Sequence, residues 1–427
     1  MARARAQRTP AACDVCVIGG GAAGLVAALA AARACARVVV LEAAPEPGRT
    51  ILATGNGRCN LTNLGLAEAL ADETPAVAAF RNRGFAREAM GPEPLAAILA
   101  LFARLGLDWT DEDGRVYPAS LSAASVRTLL VDACERAGVL LACGRDVCGL
   151  RRQDDGALQL SWTEGEAVGQ MRARAVVLSV GGAYTGARHA QPSLAHDLCR
   201  LGATSVPPQH VLCPLACDGV PARIDGRRVR ATLSLLRDGE LVAREAGELL
   251  FRSYGLSGIA VFDLSRVARA GDRIAVDLLG RYRADELPQL LRARAAQGLD
   301  LPTMAAGLMD PQVGALLAEA AAQGRAPDAA LGAFARLAKG WEFPVTGVAD
   351  ASHAQVTRGG LRVDALDAAT LGLRDVRGAG LYACGEAVDV DGPCGGYNLS
   401  WAWLSGARAG ACAAASAASG PSAPSGR

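Results

Sequence analysis

Histidine is scarce in this chain: four residues in 427, at positions 189, 196, 210 and 353, with no spacing that would close on a metal ion. The thirteen cysteines show none of the paired spacings of a zinc site, so no metal is expected. An excess of charge of one sign is also missing. The 44 basic residues, mostly arginine, face 43 acidic ones, which argues against a nucleic-acid partner. No apolar run is long enough to span a membrane, and the basic first dozen residues have no apolar core, so neither a membrane span nor a secretory leader is expected. No repeat of solenoid length occurs. These absences leave a globular chain of two or three domains, expected in the cytoplasm.

What is present is glycine in patterned turns. Asp14 to Ile18 reads as a short buried strand, because Val15, Val17 and Ile18 favour extended backbone. Gly19, Gly21 and Gly24 then fill the frame G-x-G-x-x-G. The first glycine permits a tight turn, the second lets backbone approach a pyrophosphate, and the third lets the next helix pack on the strand. Ala22, Ala23 and Gly24 open an Ala-rich stretch to residue 34 that predicts a helix, whose N-terminal N–H groups favour phosphate. A second strand, 38–41, ends in Glu42, placed to accept hydrogen bonds from a ribose diol. Cys13 and Cys16 form a C-x-x-C on the first strand. Their strand spacing points them to opposite faces, so they read as small apolar residues.

Further along, residues 48–63 form a Gly/Asn/Thr-rich loop with two arginines. Segment 64–118 reads as helical, 123–137 as a further helix and 139–162 as strands. Residues 176–180 form a buried strand ending at Gly181-Gly182, another place where backbone can approach a ligand. From 191 the prolines multiply and short strand-like pieces give way to helix between 284 and 338. Near the end, a strand at 380–384 runs into Gly385-Glu386, a loop with Asp389 and Asp391, and Gly395-Gly396-Tyr397-Asn398 opening a helix to about 415. A helix start there could stabilise negative charge on the pyrimidine side of a reduced flavin. Two such turns, one at each end of the chain, point to FAD.

The combination of residues 19–24, the stretch Gly55-Asn-Gly-Arg-Cys-Asn-Leu-Thr-Asn63 and the closing Gly385-Glu386, Asp389-Val-Asp-Gly392, Gly395-Gly-Tyr-Asn398 resembles the BaiN-like family of FAD-dependent oxidoreductases, also known as aminoacetone-oxidase-like. The resemblance spans roughly 14–412. It implies an α/β fold: a Rossmann-type FAD-binding domain with an inserted β-rich domain and a small helical domain. The boundaries then fall at 13–190 and 346–415 for the FAD-binding domain and 191–345 for the inserted substrate or cap region. Residues 1–12 and 416–427 are expected to be disordered tails. The resemblance further implies that Glu42 binds the adenosine ribose, and that Arg49, Asn56, Gly57, Arg58 and Asn60 line pyrophosphate and flavin. Asp389 would hold the ribityl or phosphate region, with Gly396, Tyr397 and Asn398 at the ring. Gly181, Gly385 and Glu386 join this cofactor set. The sequence departs from the family at 251–254, where Thr-His usually precedes the Gly-Leu-Ser-Gly, and at Ile259, where Pro is expected. Both departures bear on substrate choice.

A flavin accepts hydride at N5 and passes it to an activated alkene, an imine or oxygen. The expected activity is NADH- or NADPH-linked reduction of a small lipophilic unsaturated ketone, steroid or bile-acid-like. An oxygen-using amine oxidase and, in another class, an RNA-associated flavoprotein are the alternatives. No second complete G-x-G-x-x-G exists, so a nicotinamide nucleotide would visit only transiently. Alkene reduction needs a proton donor; Tyr254, Tyr397 and Cys59 are candidates, as is Tyr184. Arg58 and Asn60 flank Cys59, a setting that could lower its thiol pKa.

Overall fold

The computed structural model describes residues 9–182, 192–350 and 354–419, and the chain divides into two compact units, residues 1–209 with 356–427, and residues 210–355. His189, His353 and the candidate donor Tyr184 lie outside the described residues.

The first unit is built on a mixed sheet. Its strands run Leu140–Cys143, Val38–Glu42, Ala12–Ile18, Ala167–Leu178, Leu158–Glu164 and Asp146–Arg152, with Leu381–Ala383 also beside Ala167–Leu178. The central pairs are parallel, with Val15 opposite Val38 and Ala175, and Leu381 opposite Val176. Val38 to Leu41 are buried on both faces, as a parallel strand covered by helices requires. The sheet changes character within one strand: the first half of Ala167–Leu178 closes an antiparallel meander and the second half joins the parallel core.

Two helices cover the cradle end of this sheet. The first, Ala22–Arg33, buries eight of its twelve residues. The terminal helix, Tyr397–Ser419, packs against it through glycine. A Cβ added at Gly406 would come 2.3 Å from the Ala23 carbonyl oxygen, and one at Gly410 2.0 Å from that of Ala27. Absent side chains therefore set how closely the first and last helices approach. The terminal helix runs to Ser419, so residues 416–419 are ordered helix where a tail was expected. Cys13 and Cys16 are both free thiols buried in the first strand, and burial pushes Cys16 up, in keeping with small apolar residues.

The helical reading of 64–118 holds only to Ala103. After the helices Leu66–Ala69, Arg83–Met90 and Pro94–Ala103 comes a hairpin, Trp109–Glu112 with Arg115–Pro118, to which Thr62–Asn63 adds a third strand. Asp113 and Gly114, with φ of +50° and +78°, make the two-residue turn that an Asp-Gly pair favours.

The second unit contains a closed barrel in the order Leu215–Cys217, Gly255–Ser257, Glu240–Arg252, Arg228–Arg237, Arg273–Asp277, Trp341–Val348. Leu233, Leu235, Leu249, Phe251, Ile274, Val276 and Phe343 are buried. Helices Glu286–Ala296, Leu301–Ala306, Pro311–Ala322 and Pro327–Lys339 follow. Asp300 and Asp310 cap two of them, each ahead of a proline-bearing first turn.

Candidate functional site

The cradle is held by the protein's own backbone. Gly19 (φ +99°) sits where a Cβ would meet the Ser179 carbonyl oxygen at 2.5 Å, and a Cβ on Gly24 would meet the Gly19 carbonyl oxygen at 2.0 Å. The Ser179 hydroxyl, 2.8 Å from the carbonyl oxygens of both Ile18 and Gly19, ties the sheet to the turn. Gly21 differs. Its φ is −78°, and an added Cβ meets only the Thr50 hydroxyl, at 3.3 Å. No side chain caps the helix that starts at Ala22 and no acid stands in its first turn, so its N–H groups suit an anion. Glu42 accepts hydrogen bonds from the Gly20 N–H at 2.5 Å and the Ala44 N–H at 2.7 Å. Arg49, on the short helix Arg49–Ala53, is exposed.

The loop at 54–60 is wound in the left-handed sense. Gly55, Asn56 and Gly57 have φ of +56°, +55° and +83°, and Cys59 follows at +59°. Left-handed backbone at a non-glycine residue costs roughly 1–2 kcal/mol, and such strain concentrates where ligands bind. Arg58 stacks over the Tyr117 ring at 4.1 Å and donates from Nη2 to Glu112 at 2.6 Å, while its buried Nε has no partner. Asn60 is 7% exposed and its Oδ1 is likewise unpaired. Cys59 is fully buried, and desolvation pushes its thiol up to about 12. This overturns the expected lowering: the thiolate has no compensating cation close enough to offset burial.

At the closing turn, Gly385 (φ +62°) is clasped on both sides. Its N–H donates to the Ser405 hydroxyl at 3.0 Å, its carbonyl accepts from the Trp401 indole at 2.9 Å, and a Cβ would meet that of Ala23 at 2.9 Å. Glu386 accepts from the Thr357 N–H at 3.0 Å close to Gly181, and burial raises its carboxyl above the ordinary range. Asp389 turns into the protein: Arg81 Nε donates to it at 2.9 Å, the Gly359 N–H at 3.2 Å and the Asn82 amide at 3.3 Å. Asp391, 1% exposed, is gripped by two hydrogen bonds of 2.8 Å from Arg358. The Asn398 side chain braces its own loop, accepting from the Gly392 N–H and donating to the carbonyls of Gly392 and Pro393. Tyr397 packs edge-on against Phe80, its hydroxyl close over Gly65.

The first unit thus brings together the cradle, the 54–60 loop and the closing turn. Gly396 lies against the Thr62 carbonyl and the Asn60 amide oxygen, and Asn63 donates to the Gly395 carbonyl at 2.9 Å. Tyr254 belongs to the other unit, 41% exposed with Arg252 over its ring at 5.6 Å. Sequence reasoning missed Arg81, Asn82 and Arg358. The runs Arg81-Asn82-Arg83 and Thr357-Arg-Gly-Gly360 carried that signal, cations beside a turn, but nothing in a sequence pairs them with acids 30 or 300 positions away. The open N–H groups, the approachable Gly21 and the unpaired buried atoms of Arg58 and Asn60 fit an elongated dinucleotide ending in a polar ring. Among the described residues no group of side chains could hold a metal ion, and no helix is long and apolar enough to cross a membrane.

A family model described as HI0933-like protein Rossmann domain matches residues 13–412. The chain is 33% identical over 425 residues to a 3-dehydro-bile acid delta(4,6)-reductase of Clostridium scindens, covering 93% of this chain and 98% of that protein. It is 29% identical over 407 residues to a ribosomal RNA dihydrouridine synthase of Escherichia coli, covering 92% and 96%. A protein of the same name from Haemophilus influenzae is 26% identical over 406 residues, covering 91% and 95%. The chain belongs to the HI0933-like Rossmann family and is an FAD-dependent oxidoreductase.

Proposed function

We propose that this enzyme saturates a carbon–carbon double bond conjugated to a carbonyl, on a small lipophilic ketone of steroid or bile-acid type, with NADH or NADPH as a transient reductant. The observation that carries this reading is the 33% identity to a bile-acid reductase along nearly the full length of both chains. The other relatives are named for dihydrouridine, the product of saturating a uracil double bond that is also conjugated to a carbonyl, so both names support one reaction class.

Bound FAD would supply a two-electron carrier able to reduce an electron-poor alkene. The chain's own residues would do the rest. The N–H groups after Gly21 would hold the pyrophosphate, and Glu42 would accept from the adenosine ribose. Arg49, Asn56, Gly57, Arg58 and Asn60 would line the phosphate and ring side. Gly181, Gly385 and Glu386 would flank the cofactor, and Asp389, with Arg81, would fix the closing loop. Gly396 and the helix start at Tyr397 and Asn398 would face the ring carbonyl. Cys59, whose thiol burial pushes up to about 12, is a poor donor, and the Tyr397 ring packs on Phe80 with its hydroxyl near Gly65. Tyr254 and Tyr397 are the donors to test, each by substitution with phenylalanine.

A second reading, an RNA substrate, rests on the two dihydrouridine synthases. The near balance of charge speaks against it, since RNA affinity is largely electrostatic. One experiment separates these and the amine-oxidase alternative. The holoprotein is reduced anaerobically with NADH and NADPH, then mixed with a 3-oxo-4,6-diene bile acid, with unmodified ribosomal RNA, or with oxygen. Bleaching by a nicotinamide nucleotide and rapid reoxidation by the dienone are expected. Reoxidation by RNA alone would favour the second reading, and failure to bleach would sink nicotinamide-linked reduction.

A further inference from the structure

We infer that Asn60 accepts a hydrogen bond from the N3–H of the flavin ring, beside the helix N-terminus that receives the neighbouring ring carbonyl. The inference rests on the FAD reading and assigns one atom within it. Asn60 is 93% buried, and its Oδ1 has no partner among the described residues. A buried carbonyl oxygen left in that state is costly, so native proteins rarely leave one unless a ligand completes it. Its position is specific. At Gly396 (φ +103°) a Cβ would fall 2.7 Å from Asn60 Oδ1, which places the orphan acceptor at the first turn of the 23-residue terminal helix. No acid stands in that turn.

A row of N–H donors next to a single acceptor complements a carbonyl next to an N–H, the edge of an imide. The oxidised flavin ring carries one N–H, at N3, and it adjoins the C2 carbonyl. Neighbouring polar side chains are already engaged. Asn63 bonds the Gly395 carbonyl and the Gly65 N–H, Thr62 pairs with Ser400 at 2.8 Å, and Asn398 braces residues 392 and 393. Asn60 Oδ1 is the acceptor left over at this edge among the described residues.

The test compares FAD with N3-methyl-FAD, titrated into apoprotein and followed by quenching of flavin fluorescence. The wild type should bind the methylated cofactor about tenfold more weakly or worse. Asn60→Leu, which keeps the volume and removes the acceptor, should bind FAD about tenfold more weakly and lose most of the discrimination. Asn60→Asp, which keeps an acceptor, should retain it. Thermal melts of the apoproteins check that each variant folds, and the wild-type comparison stands if one does not. Equal wild-type affinity for the two cofactors would overturn the inference, as would undiminished discrimination in Asn60→Leu. Wild-type apoprotein that binds neither cofactor would overturn the FAD reading itself.

Discussion

At residues 19–24 the protein's own groups set the turn, with Ser179 bridging two carbonyls and Glu42 taking the N–H groups of Gly20 and Ala44, while the uncapped helix start keeps its N–H groups open. At residues 54–60 the backbone is wound left-handed four times, and two buried polar atoms have no partner. The adenosine end is therefore shaped by the protein's own bonds around donors left for a phosphate. The ring end is held in a strained, incompletely bonded form, and something outside the loop must hold it there. The closing turn meets that loop where Gly396 lies against Asn60, and two ion pairs tie this turn down: half-exposed Arg81 with buried Asp389, and Arg358 with Asp391 in a nearly buried pair.

The largest expected effect tests that brace. Asp391→Asn leaves the Arg358 cation in a site where the carboxylate is 1% exposed, and losing one member of a buried pair costs about 3–5 kcal/mol. Urea denaturation of the apoprotein should show this loss. A change under 1 kcal/mol would mean that the ring end is held by packing alone, and the contrast with the cradle would weaken.

The cradle contains its own internal contrast. Gly24→Ala drives a Cβ into the Gly19 carbonyl and the Ser179 hydroxyl, at 2.0 and 2.5 Å, so about 3 kcal/mol of stability should be lost. Gly21→Ala adds the same methyl group at an ordinary φ, where its one close neighbour, the Thr50 hydroxyl at 3.3 Å, need give only a few tenths of an ångström, and the apoprotein should melt within a degree or two of wild type. Its FAD affinity should nevertheless fall by about a hundredfold, about 2.7 kcal/mol, because the methyl occupies the line of approach to the phosphate. Equal effects of the two substitutions on apoprotein stability would contradict the division between a packing glycine and a binding glycine.

That division explains what was legible in the sequence. The cradle was readable because strand, turn, helix and acid are consecutive, and local spacing carries the geometry. The parallel core strands and the terminal helix were readable for the same reason. The hairpin at 109–118 was hidden inside a segment of helical composition, although Asp113-Gly114 announced its turn. The closed barrel was not readable, because closure pairs Leu215 with Val348, residues whose neighbourhood no local pattern encodes. At the ring end the residue types were visible but their partners were not. Asp389 is bonded to Arg81 and Gly359, and Asn398 braces its own loop, partners that no local spacing announces. Cys59 looked activated by Arg58, yet that cation is committed to Tyr117 and Glu112.

The smallest expected effect concerns Glu386, which stands where the two regions adjoin, near Gly181 and bonded to Thr357. Burial raises its carboxyl above the ordinary value of 4.5, with the nearby Asp391 adding to the rise. The folded protein then holds this proton more tightly than the unfolded chain does. As pH rises past 4.5 the unfolded chain ionises first, so stability falls through the window up to the folded pKa and levels off above it. The slope for one group is at most about 1.4 kcal/mol per pH unit. Glu386→Gln keeps the acceptor for the Thr357 N–H and removes the titration. Urea midpoints of the two apoproteins should coincide below pH 4 and diverge above it, the variant becoming the more stable. Parallel curves across the range would mean that Glu386 ionises freely in the folded protein, and that this side of the site is as well solvated as the outer face of the cradle.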